Sequence, residues 1–177
     1  MPKVKKYVLT GGPGSGKSSI VIALEMRGEY VIREAAEDYI RLRQAQGQPE
    51  PWTEENFQDK ILELQILRES RIPKNIERIF IDRGIIDGMA YFHKAGKRPS
   101  KKLLDEANKA YGRAYDKIFL IENLGSCESN HVRRENIEEA LILERLQERN
   151  YRYYEFPVIK VPASPLDDRV NYILERV

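Results

Sequence analysis

The stretch LTGGPGSGKSS, residues 9 to 19, constrains the fold more than any other part of this chain. Gly11 to Ser18 satisfies G-x-x-x-x-G-K-[ST] in full. Apolar Tyr7-Val8-Leu9 precede it, and Ile20, Ala23 and Leu24 follow at helical spacing. A loop that wraps a polyphosphate turns its backbone N–H groups inward, which requires positive φ values that glycine reaches at little steric cost. A helix starting behind the loop adds unpaired N–H groups and the positive end of its dipole. On this reading Gly11, Gly12, Pro13, Gly14, Ser15, Gly16, Lys17, Ser18 and Ser19 cradle a nucleotide. Lys17 reaches its β- and γ-phosphates, and the Ser18 hydroxyl ligates Mg²⁺. The alternative is a chance glycine turn; the strand before the motif and the helix after it speak for the cradle.

The rest of the chain repeats the same alternation. Tyr30-Val31-Ile32, Ile79-Phe80-Ile81, Ile118-Phe119-Leu120-Ile121 and Val158 to Val161 read as further short strands. Pro157 blurs the start of the last one. Helices are expected over Ser15 to Met26 and Ala36 to Gln46, then from about Thr53 to Arg71 with Phe57, Ile61 and Leu64 on one face. Others follow near Asp87 to Lys94, Ser100 to Tyr111, up to about Asn150, and in a stripe of Leu166, Val170, Ile173, Leu174 and Val177. Continuous apolar strands without polar alternation imply a parallel sheet covered by helices on both faces, an α/β/α arrangement.

Composition narrows the function classes. The 177 residues suit one domain, and 41% hydrophobic with 33% charged residues is the balance of a folded soluble chain. Thirty basic against 28 acidic residues leave a net charge of +2, which gives no global case for nucleic acid or a membrane surface. The N-terminal apolar run stops at the glycines, too short for a spanning helix. One cysteine, Cys127, excludes an internal disulfide and fits a reducing, cytoplasmic setting.

Ligands of open parallel sheets bind at the carboxyl ends of the strands, and two acids fall there. Asp82 closes the third strand, where a carboxylate holds Mg²⁺ or its water shell; the alternative is a turn residue capping the next helix. Glu34 lies just past the second strand. It is either a proton acceptor for, or hydrogen-bond partner of, a substrate hydroxyl, or an exposed first-turn glutamate. Arg83 reaches substrate or phosphate, or makes an ordinary salt bridge.

The segments VLTGGPGSGKSS, REAAEDYI, FIDRGIIDGMAY, AYDKIFLIE and NHVRRE resemble, in this order and over nearly the whole chain, the NadR-type P-loop AAA domains. That family includes ribosylnicotinamide kinase domains and predicted ATPases. The resemblance implies a nucleoside- or nucleotide-kinase-like fold with strand order 2-3-1-4-5 and ATP with Mg²⁺ as phosphoryl donor. It also implies a lid at about residues 123–150, in which Arg133 and Arg134 match the lid arginines (the alternative is a solvated helix start), and an adenine-holding loop from Val161 to Asp167. The chain departs from the family at Glu37, where Arg is common, and at Asn130-His131, where Asp-Gly is frequent.

Other features carry less. HKAGKRPSKK (93–102) reads as a solvated basic loop rather than a nucleic-acid site, having only Tyr91 and Phe92 nearby for stacking. His93 and His131 form no metal-ligand pattern. NKAY (108–111) lacks the Asp of a guanine-reading motif, which favours ATP over GTP. Trp52 reads as an anchor for a helix start. The expectation is a kinase acting on a nucleoside-, nucleotide- or ribosyl-like hydroxyl. The alternatives are an ATP-dependent switch without an acceptor and, more remotely, a 5′-end nucleic acid kinase.

Overall fold

The computed structural model describes residues 3–125 and 136–177. Strand β1 (Lys5–Thr10) lies at the centre of a five-stranded sheet ordered β2-β3-β1-β4-β5, all pairs parallel. The other strands are β2 (Tyr30–Ile32), β3 (Arg78–Asp82), β4 (Lys117–Ile121) and β5 (Val158–Val161). Seven helices are present among the described residues: α1 (Lys17–Met26), α2 (Ala35–Ala45), α3 (Phe57–Ser70), α4 (Asp87–Lys94), α5 (Lys101–Ala110), α6 (Ile137–Tyr153) and α7 (Leu166–Leu174). The order is the one the family resemblance implies.

Consecutive strand residues point to opposite faces, so a strand buried on both sides is apolar throughout. Val8, Ile79, Ile81 and Ile118 pack on one face with Leu62, Met89, Leu103 and Tyr151, residues of α3 to α6. Tyr7, Leu9, Phe80, Phe119 and Ile121 pack on the other with Ile20, Leu24, Val170 and Ile173 of α1 and α7. Pro157 stands just outside edge strand β5, and its carbonyl accepts Ile118 N–H at 2.9 Å.

Local readings change in three places. Helix α1 starts at Lys17, because Ser15 and Gly16 still belong to the loop. Helix α3 starts at Phe57, since Pro51–Thr53 forms a separate 3₁₀ turn. Its buried residues are Phe57, Leu62 and Gln65 rather than a Phe57–Ile61–Leu64 face; Ile61 and Leu64 are half-buried. Leu166 is exposed and does not join the buried stripe of α7.

Candidate active site

The glycines of the loop serve two different demands. Gly11, Gly14 and Gly16 adopt φ of 141°, 77° and 83°, values L side chains resist. Gly12 does not; a Cβ there would lie 2.3 Å from the Ala140 carbonyl oxygen of α6, so that position is glycine because another helix approaches it. Lys17 is buried and folds over its own loop. Its Nζ donates to Gly11 O (2.8 Å), Gly12 O (3.0 Å) and Ser15 Oγ (3.2 Å). Burial, then repulsion from Arg83, lowers its pKa to about 8. Gly16 stands at the N-cap of α1 in the left-handed conformation and makes no side-chain cap hydrogen bond. Ser18 faces the cavity described below, whereas Ser19 is exposed.

Asp82 pairs in register with Leu9 of β1 and is 3% exposed. Its Oδ1 has no hydrogen-bond partner among the described residues. Burial, and then the negative charge of Glu34, push this carboxyl up to about 7, against the opposing pull of Lys17 and Arg83. It does not cap the next helix; Gly84 N–H donates instead to Asp87 Oδ2 at 2.9 Å. Arg83 leaves the strand at φ 66°, while its N–H still donates to Leu9 O at 3.0 Å. The left-handed turn carries its guanidinium to Glu34 Oε1 (Nε donor, 2.9 Å) and Asp87 Oδ1 (3.4 Å), with the Tyr91 ring centroid at 6.0 Å. Burial alone would lower the Arg83 pKa; Glu34, Tyr91, Asp87 and Asp82 outweigh it and hold the group charged. Of the two sequence readings for Arg83, the ion pair is present, and it lies in the cavity wall. Glu34 occupies the N-cap position of α2 with its side chain 19% exposed.

Sequence reasoning passed over Asp87, which looked like an ordinary helix start. Its Oδ1 accepts from Thr10 Oγ1 (2.5 Å) and its Oδ2 from Tyr151 Oη (2.6 Å), besides Gly84 N. It also passed over Arg169 of α7, which is buried and donates to Ser15 O at 2.7 Å. The spacing held a signal: Arg169 stands four residues before Ile173, which puts the two on one face of the helix.

A cavity of about 630 Å³ opens from Lys17 and Ser18. Glu34, Arg83 and Asp87 line it with Trp52, Phe57 and Tyr91. Trp52 sits in the 3₁₀ turn, so the expected helix anchor also forms part of this wall. Glu37 lines the cavity and pairs with Arg41 at 2.5 Å. The basic stretch expected as one loop is a loop only between Lys94 and Lys101: Lys94 at the end of α4 pairs with Glu139 at 3.1 Å, Lys102 in α5 pairs with Glu63 at 2.6 Å, and Lys97 between them stands at the cavity. Of the stretch 123–150 expected as a lid, residues 137–150 belong to α6, with Ala140, Leu143, Gln147 and Asn150 buried. Arg133, Arg134, Cys127, Asn130 and His131 lie outside the described residues.

Sheet order and glycine loop define a P-loop protein with the fold of the nucleoside kinases. The chain belongs to an AAA domain family: the family model AAA_28, described as AAA domain, matches residues 6–169. The deoxyadenosine kinase of M. mycoides with bound dATP is similar in structure, with a TM-score of 0.65 and 17% identity over 97% of this chain and 98% of that one. The same kinase with the products dCMP and a flexible dCDP gives 0.57 and 17%, covering 97% of each chain. With dCTP it gives 0.57 and 16%, again over 97% of each. At these identities the likeness is one of fold. No curated protein matches the chain. No helix among the described residues is long and apolar enough to cross a membrane.

Proposed function

We propose that this protein is an ATP-dependent kinase that phosphorylates a hydroxyl of a nucleoside- or ribosyl-like acceptor, in the manner of the NadR-type domains it resembles. One observation carries the reading: Glu34 lines the same cavity as Lys17 and Ser18, so a proton acceptor and a phosphate cradle face one space. That space, about 630 Å³, falls within the roughly 300–1,000 Å³ of small-molecule sites. Its Trp52, Phe57 and Tyr91 suit a flat ring, and its charged groups suit a sugar.

Phosphoryl transfer asks a protein mainly for positioning and charge neutralisation. The acceptor hydroxyl attacks the γ-phosphorus of ATP and gives its proton to Glu34; the bond to the β-phosphate breaks and ADP leaves. Arg83 fixes the direction of the Glu34 carboxylate through its Nε–H. Asp82, whose buried Oδ1 has no partner among the described residues, and the Ser18 hydroxyl are the groups that would hold Mg²⁺, which would supply charge neutralisation when bound. Lys17 exchanges its loop carbonyls for phosphate oxygens. Arg133 and Arg134 supply the remaining positive charge from the lid.

The test is ADP release with ATP and a panel of nucleosides, nucleotides and ribosylnicotinamide, on the unaltered protein and on Glu34→Gln. The expected result is release that depends on one acceptor class. Glu34→Gln should keep its affinity for ATP and lose at least a hundredfold in turnover, within the usual range for a general base of about 10²–10⁴. ATP binding without stimulation by any acceptor would overturn the proposal.

A further inference from the structure

The anion cradle is braced by two side chains outside the motif. Asn123, just past β4, donates Nδ2–H to Pro13 O at 2.9 Å, and Arg169 of α7 donates from its guanidinium to Ser15 O at 2.7 Å. In a trans peptide the carbonyl of one residue and the N–H of the next point in opposite directions. A carbonyl drawn to one side therefore sends the following N–H to the other. The carbonyls of Pro13 and Ser15 are held by these donors, so Gly14 N–H and Gly16 N–H turn away from them.

Both braces are themselves fixed. Asn123 Oδ1 accepts Gly125 N–H at 2.8 Å, and Asn123 N–H donates to Glu144 Oε2 at 3.0 Å, so its amide has one orientation. Arg169 is 4% exposed, its Nε has no partner among the described residues, and burial alone lowers its pKa. A cation buried with a backbone oxygen as its acceptor, and with no carboxylate in ion-pair distance among the described residues, is costly to stability. Its guanidinium also covers Gly16, where a Cβ would lie 2.9 and 3.1 Å from the two terminal nitrogens.

We propose that Arg169 and Asn123 are positioning residues of the nucleotide loop, which aim the Gly16 and Gly14 N–H groups at the bound phosphates by holding the Ser15 and Pro13 carbonyls outward. The charge of Arg169 further polarises the Ser15–Gly16 peptide, making Gly16 N–H a stronger donor to an anion. This rests on the loop binding polyphosphate and is independent of any acceptor.

The experiment measures affinity for ATP and for inorganic tripolyphosphate, without acceptor, on the unaltered protein, Arg169→Met, Arg169→Lys and Asn123→Asp. Midpoints of thermal unfolding and the Gly16 amide ¹H–¹⁵N resonance are followed alongside. Arg169→Met should weaken both ligands by the same factor, roughly tenfold, as for a lost charge-assisted hydrogen bond. Arg169→Lys should recover most of that loss and restore the Gly16 resonance shift on adding tripolyphosphate. Asn123→Asp keeps the acceptor for Gly125 N–H and loses the donor to Pro13; it should weaken both ligands about threefold. This variant keeps the idea testable if Arg169→Met does not fold.

Three outcomes would overturn the proposal. Loss of ATP affinity with tripolyphosphate unaffected would make Arg169 a base contact. Unchanged affinities would make both residues bystanders, and a loss that Arg169→Lys does not repair would make Arg169 a packing group. If the unaltered protein binds neither ligand, the nucleotide reading itself falls; if it binds both and the variants bind as well as it does, only the bracing falls.

Discussion

Tyr151 of α6 donates its phenolic proton to Asp87 at the head of α4 across 2.6 Å, in the interior of the molecule. The bond joins two helices and completes a ring of donors around one carboxylate, with Thr10 and Gly84 supplying the others. What remains of Asp87 faces Arg83, so the pose of Arg83 against Glu34 depends on a hydroxyl 68 positions away in the chain. Removing one donor to a buried carboxylate costs about 1–3 kcal/mol. Tyr151→Phe should lose that much in urea unfolding. Asp87→Ala should lose more, about 3–5 kcal/mol, since it strips a partner from a buried guanidinium. If Tyr151→Phe unfolds at the same urea concentration as the unaltered protein, the ring does not brace the site.

Lys17 contributes three donors that already find oxygen partners in its loop. Replacing it with Ala removes a charge-assisted contact worth about 1.5–3 kcal/mol. Calorimetry should show nucleotide affinity falling roughly tenfold to a hundredfold. An unchanged affinity would contradict the cradle.

Asp82 imposes a pH dependence with a defined sign. Its carboxyl titrates near 7 in the fold, against 3.8 for an unperturbed aspartate, so the folded state binds the extra proton between these values. Its contribution to stability is fully present below about pH 4 and is lost as pH rises through about 7. Asp82→Asn abolishes that slope. It should be more stable than the unaltered protein by about 1–3 kcal/mol at pH 8, the cost of a buried polar group left unpaired. The same variant should lose the Mg²⁺ dependence of ATP binding. The readout is the difference between the two proteins' unfolding free energies from pH 4 to 8; a constant difference would refute the assignment.

Gly12 and Gly28 separate two reasons for a glycine. A methyl at Gly12 would sit 2.3 Å from Ala140 O, a backbone atom on the buried side of α6, and something must move. At Gly28 nothing lies within 4 Å, and only φ 86° opposes a side chain. Gly28→Ala should cost about 1–2 kcal/mol and leave nucleotide binding intact. Gly12→Ala should abolish binding and lower the unfolding midpoint further, as α6 and the loop separate. Equal costs at the two positions would show that conformation alone accounts for both.

What the sequence discloses follows from the range of the interactions. The loop motif is local, and so are the short apolar strands. Gly11 to Ser18 and the five-strand alternation were therefore readable directly. Asp82 and Glu34 could be placed at strand ends because topology dictates where a parallel sheet binds its ligands. Gly12 carried the correct residue under an incomplete explanation, because Ala140 stands 128 positions away. Asp87 enters only as the start of an expected helix, and nothing in its neighbourhood announces Thr10 or Tyr151. Gln65 and Arg169 were legible in principle, as polar residues on the buried faces of α3 and α7. An apolar stripe draws the eye past the one member that does not fit it.

The order β2-β3-β1 sets the loop that ends in Lys17 two strands away from the strand that leads to Glu34, with Asp82 on the strand between. Neighbouring strands are separated by about 4.8 Å, so the two stations stand on tracks about 10 Å apart. Amide pairing holds that gauge, and no exchange of side chains alters it. Redesign of the molecule can change what is carried between the stations, but the span of the crossing is built into the lattice of the sheet.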